Sequence, residues 1–139
     1  LLRSRIAANE ASAVGSIRTI TTAEITFNTT YPGVGYATLA ALGGTSCTSP
    51  LSTSACLIDN TLALASAAPG KSGYLFNVVL TGSAPATGFA ANADAITQGT
   101  TGVRAFCNST DGVIRYSPDQ TGITQTTGEG ACQAITTVL

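Results

Sequence analysis

Residues 1–30, LLRSRIAANEASAVGSIRTITTAEITFNTT, decide the fold, because they read as one long amphipathic helix. At 100° per residue, Leu2, Ile6, Asn9, Ala13, Ile17, Ile20, Glu24 and Phe27 fall in one stripe of roughly 80°, the width of a face packed on a core. The start of this helix is anomalous. No capping residue precedes Leu1 and Leu2, although Ser4 can serve as a late cap, and Arg3 and Arg5 stand where the helix dipole disfavours cations. A helix that opens in this way is expected to continue upstream of Leu1, and what is attached there is expected to matter more to function than the rest of the chain. At the other end, Pro32 biases Tyr31 toward extended geometry and Gly33 and Gly35 follow, so the helix is expected to stop near Thr29 or Thr30.

The 139 residues suit a single domain with a modest core. Only 9% are charged and the net charge is −1, so there is no basic field to attract nucleic acid. Histidine is absent, which removes the usual general base for a Ser or Cys nucleophile. The carboxylates are few and scattered, and no glycine motif for cradling phosphate occurs. An enzyme is therefore not expected, and neither is a cofactor. No apolar run approaches the about 20 residues needed to span a bilayer.

Cys47, Cys56, Cys107 and Cys132 allow three disulfide pairings. With no Cys-x-x-Cys and no His, a zinc site is disfavoured against two disulfides, which imply an oxidising compartment. The spacing favours Cys47–Cys56, closing a short loop, and Cys107–Cys132, tying the C-terminal tail to a strand.

After the helix, residues 31–72 lack a strong period and read as a connecting region, with a short helical candidate at Leu57–Ser66 ended by Pro69-Gly70. From Gly73 the period becomes two. Tyr74, Phe76, Val78 and Leu80 alternate with Leu75, Asn77, Val79 and Thr81 in a half-buried strand. Gly88–Asp94 makes a second, with Phe89, Ala91 and Ala93 on one face. Val103–Asn108 and Val113–Tyr116 make two more, joined across Ser109-Thr110-Asp111-Gly112, a hairpin turn. The expected sheet therefore occupies residues 73–118. An antiparallel meander with one covered face follows, and the long helix has the only stripe large enough to cover it. The C-terminal loop, 119–139, is Thr- and Gly-rich, with Ala134–Leu139 a candidate last strand.

This order of elements resembles the type IV pilin fold, an α+β arrangement of a long N-terminal helix, a four-stranded antiparallel sheet and a disulfide-tied C-terminal loop. The stretch Leu1-Leu2-Arg3-Ser4-Arg5 through Ala8-Asn9-Glu10-Ala11, with Ser16-Ile17-Arg18-Thr19-Ile20 and Ala23-Glu24, is similar to the part of bacterial type IV pilins just after their membrane-spanning segment. Lys71-Ser72-Gly73-Tyr74 is similar to a feature of the same group. The resemblance implies a structural subunit of an extracellular, cell-surface filament serving motility, adhesion or DNA uptake. Its implied partners are copies of itself in a helical filament and the pilus assembly machinery of the inner membrane, where the subunit resides before assembly. Membrane contact is implied only through the apolar N-terminal segment of that family, whose peptidase site, methylated first residue and nearby Glu are not among these residues.

In that setting Leu1, Leu2, Arg3, Arg5, Ile6, Ala7, Glu10, Ala11 and Val14 are the expected subunit interface. Ala7, Ala11 and Val14 form a small-residue face beside the main stripe, and Arg3, Arg5 and Glu10 are candidates for pairing between subunits. The alternative is a minor pilin or adhesin-type module, with Tyr31, Tyr36, Phe89 and the loop Asp119–Glu129 as contacts. A third is a secretion pseudopilin, with Asp111, Asp119 and Glu129 as oxygen ligands for Ca²⁺, although their spacing matches no loop motif. Asn28-Thr29-Thr30 and Asn108-Ser109-Thr110 are formal N-glycosylation patterns that Thr frequency alone explains.

Overall fold

The structure, a computed structural model, describes residues 1–45, 47–83 and 85–139. Helix α1 runs Leu2–Thr30, and two single-turn helices follow, α2 (Leu39–Leu42) and α3 (Asn60–Ala63). Strands β1 (Tyr74–Thr81), β2 (Gly88–Ala95), β3 (Ala105–Ser109) and β4 (Ile114–Ser117) come next, and α4 (Glu129–Gln133) lies near the end. The strands form one antiparallel sheet in the order β1-β2-β3-β4, with Phe76 opposite Ala93, Asn92 opposite Cys107 and Phe106 opposite Tyr116. The α+β meander under a long N-terminal helix is thus present.

Helix α1 closes at Thr30 as its sequence dictates: the Tyr31 amide donates to the Phe27 carbonyl, and Pro32 follows. Ala13, Ile17, Ile20, Glu24 and Phe27 are buried, against Phe76, Ala91, Ala93 and Phe106 of the sheet. Alanines at 91 and 93 let the helix lie close, and the large rings come from the strands on either side. Stripping Phe27 from this layer costs about 3–5 kcal/mol, the usual size for a buried aromatic.

The upper part of the stripe departs from expectation. Leu2 is half exposed, Ile6 and Asn9 only partly buried. The reason is length. A 29-residue helix spans about 43 Å, whereas an eight-residue strand spans about 27 Å, so the helix outruns the sheet.

The sheet also has two covered faces, not one. Every residue of β3 is buried, and so is every residue of β2 except Asp94. Away from α1, Ala90, Ala105 and Cys107 pack with Ile123 and Cys132 of the C-terminal segment. The Asn92 side chain donates to the Thr127 carbonyl (2.8 Å), and Asn77 donates to that of Gln125 (3.0 Å). The tail is therefore a third layer, fastened by polar contacts and by the Cys107–Cys132 disulfide. The other disulfide joins Cys47 to Cys56. Both favoured pairings are present, and disulfides are the chemistry of an oxidising environment.

Element ends shift where side chains or neighbours claim the backbone. The helix expected at 57–66 shrinks to α3, because Leu57 and Ile58 donate to Leu42 and the Ala65 carbonyl accepts from Phe76. Asp59 caps what remains through the Leu62 amide (3.0 Å). Strand β4 starts one residue late because Asp111 takes the Val113 amide. In place of a full strand at 134–139, the tail forms a single bridge, Val138 with Arg115, alongside β4. No helix among the described residues is long and apolar enough to cross a membrane.

Candidate functional site

The residues expected to meet other subunits lie on α1 or, for Leu1, at its N-cap, and the structure divides them. Leu1, Leu2, Arg3, Arg5, Ala7 and Ala11 are exposed, Ile6 is half-buried, and Glu10 and Val14 are buried in the chain's own fold. The helix has no side-chain cap and no acid in its first turn. Its first eight residues contribute nothing to the core.

Glu10 marks the boundary between the two parts. One carboxylate oxygen accepts from the Val103 amide (3.1 Å) and the Arg104 amide (3.0 Å), and the other accepts from Arg104 Nε (2.9 Å). Burial works against its charge, but these donors and the guanidinium outweigh burial and hold the carboxyl below the usual glutamate range. The contact also explains why β3 begins at Ala105 instead of Val103: Glu10 occupies the amides that would open the ladder. Asn9 adds a bond to the Thr101 carbonyl (2.9 Å). Glu10, a candidate for pairing between subunits, is thus already engaged within its own chain.

Arg104 is held in turn by Phe106 and Tyr116, whose ring centroids lie 5.2 and 5.4 Å from its guanidinium carbon. The loop reaches it through Gly102, where any Cβ would collide with the Tyr74 ring. The Tyr74 hydroxyl donates to the Arg104 carbonyl (2.6 Å), and burial, with Glu10 nearby, raises its pKa. Beside the clamp lies an open groove of about 330 Å³ walled by Ala7, Ala11, Val14, Arg18, Arg104 and Leu139. The small-residue face of Ala7, Ala11 and Val14 is one wall of it.

Further down, Glu24 is completely buried. One oxygen accepts from the Ala37 amide (2.8 Å), tying the segment after α1 back onto the helix, while Oε2 has no partner among the described residues. Burial pushes its carboxyl up to about 8, only partly offset by that amide. The sequence places Glu24 in the core stripe without revealing what holds it there.

The residues of the alternative readings go elsewhere. Tyr31 packs on Phe27 (centroids 4.8 Å apart) and Tyr36 on Phe89 (5.0 Å), with Phe89 buried, so this trio serves internal packing. Asp111 pairs with Arg115 (2.9 Å), and no group of three or more metal-binding side chains converges among the described residues. Asn108 is buried and donates to Thr21, which removes it as a surface acceptor, and Asn28 is half-buried on α1. Comparison of the chain with protein-family models, with curated proteins and with solved structures finds no match.

Proposed function

We propose that this chain is a structural subunit of an extracellular filament of the type IV pilin kind, in which copies associate through the upper turns of α1. One observation carries the reading. The helix leaves the sheet with Leu1, Leu2, Ala7 and Ala11 uncovered, while Glu10 and Asn9 fix the angle at which it leaves. A small-sided helical arm is a surface that a second helix can approach closely. Two disulfides suit life outside the cytoplasm, where assembly onto the cell surface takes place. The adhesin-type reading draws no support from Tyr31, Tyr36 or Phe89, which are occupied in packing.

The test is stoichiometric. Fibres sheared from producing cells are expected to contain this chain as an abundant component, repeated along their length. Recovery of the protein only as free monomers in detergent-free extracts, with fibres lacking it, overturns the proposal.

A further inference from the structure

Glu24 is an acid with no charge to answer its own. Around it α1 packs on β2, β3 and α2, and among the described residues none of these elements turns a titratable group toward the carboxyl. Helix α2 has no titratable side chain, and in β3 Cys107 is tied up in its disulfide. Asp94 of β2 turns to the other face of the sheet, where Gln125 donates to it. Tyr31 and Tyr36 pack on Phe27 and Phe89. The titratable groups of β1, β4 and the α3 cap are engaged elsewhere: Tyr74 and Tyr116 at Arg104, Arg115 at Asp111, and Asp59 at Lys71. One turn away on α1 itself stand Ile20, Thr21, Phe27 and Asn28, all uncharged. Burial and the Ala37 amide act on the Glu24 proton, and no neighbouring charge does.

What closes over Glu24 is short and lightly held. Residues 32–38, PGVGYAT, link the end of α1 to α2, and of these only Gly35 and Ala37 are buried. Pro32 has no amide to give, and the Val34 and Gly35 amides bond locally to the Tyr31 carbonyl. Among the described residues, two bonds fasten the segment to distant parts of the chain. The Ala86 amide donates to the Val34 carbonyl (2.9 Å), and the Ala37 amide donates to Glu24 (2.8 Å). Gly33, near the start, has open space where a Cβ would stand. Beyond the segment α2 is anchored on its own account, since the Ala55, Leu57 and Cys56 amides donate to Ala41, Leu42 and Gly43. A stretch with so few buried groups between two fixed ends belongs to the part of a fold that opens locally.

The carboxyl is written into that opening. Oε1 accepts the Ala37 amide, so in the neutral acid Oε2 carries the proton. Ionised in place, the group would hold a buried charge with one amide for support. Lifting the segment admits water, and the carboxyl then ionises as an ordinary glutamate.

We propose that residues 32–38 form a proton-linked strap, closed over Glu24 while its carboxyl is protonated and opening with release of that proton to water. The strap loosens as pH rises, and each opening detaches Ala37 from α1 and Tyr36 from Phe89. The device is built into one chain and stands whether or not copies assemble.

Amide hydrogen exchange of the 139-residue chain, read residue by residue between pH 5 and 9, tests it. After correction for intrinsic exchange, the opening constant at Ala37 is expected to rise about tenfold per pH unit from pH 5 and to level off near 8, as release of one proton per opening requires. Ile20 and Phe27 are expected to stay more protected at every pH, which marks the opening as local. E24Q keeps an acceptor for the Ala37 amide but has no proton to release, and is expected to show no slope. A second readout needs no variant: the Glu24 carboxyl carbon, followed by NMR in the unsubstituted chain, is expected to titrate near 8. The proposal is overturned by an opening constant at Ala37 indifferent to pH, by a slope that E24Q retains, or by protection at Ala37 equal to that at Ile20. A Glu24 carboxyl that titrates in the ordinary glutamate range overturns it as well.

Discussion

Residues 2–8 and residues 10–27 belong to one unbroken helix, yet their surroundings have almost nothing in common. The lower part buries Ala13, Ile17, Ile20 and Phe27 against the sheet and sends Glu10, Thr21 and Glu24 into contact with loops and strands. The upper part touches none of this and leaves Leu1 and Leu2 in solvent. Folding therefore accounts for every apolar residue of the lower stripe and for none above Ile6. The same 100° pattern runs through both, so amphipathicity identifies a face without saying whether the chain's own sheet or another molecule covers it.

The sharpest break between the two parts is a matched pair of truncations. Phe27→Ala is expected to lower stability by about 3–5 kcal/mol in denaturant unfolding, because a fully buried ring leaves a cavity. Leu2→Ala, removing a side chain already half in water, is expected to stay within about 0.5 kcal/mol.

Glu24 sharpens the contrast through pH. Its folded carboxyl titrates near 8, above its value in the unfolded chain, so the folded state holds its proton more tightly. The contribution is fully present at acid pH and is lost as pH rises from the ordinary glutamate range through about 8, at roughly 1 kcal/mol per pH unit. Glu24→Gln keeps an acceptor for the Ala37 amide and is expected to flatten that slope in unfolding curves taken between pH 5 and 8. Asp94, also raised by burial, adds a slope of the same sign that remains in both proteins.

A smaller effect is expected at the boundary itself. Glu10→Ala leaves the Val103 and Arg104 amides without their acceptor and is expected to cost about 2 kcal/mol, with Glu10→Gln recovering part. Hydrogen exchange is the telling readout: the β2–β3 loop and the turns of α1 near Asn9 are expected to lose protection, while Ile17 to Phe27 keep theirs.

Much of this architecture is legible in the residues. The period of 3.6 through Phe27, the switch to period two at Tyr74 and the Asp111-Gly112 turn give the helix, the meander and its order, because each is a local pattern. Cysteine spacing gives both disulfides. What escapes is contact between distant segments. Nothing near Glu10 announces that it will cap β3 across 94 residues of chain, or that the Thr-rich tail will close the second face of the sheet through Asn77 and Asn92. Those contacts join polar groups of unremarkable spacing, and only the folded chain brings them together. The exposed part of the candidate surface was legible, since Ala7 and Ala11 lie on a face of their own, but Val14 beside them turned inward.

The upper turns of α1 are the proposed surface for other copies. The most direct test is electron microscopy of the chain carrying an apolar helical segment fused before Leu1, with and without Ala7→Glu and Ala11→Glu together. Regular helical fibres are expected from the fused chain, and none from the doubly substituted one, whose unfolding midpoint stays unchanged. Fibres that persist through both substitutions, or a fused chain that forms none, contradict it.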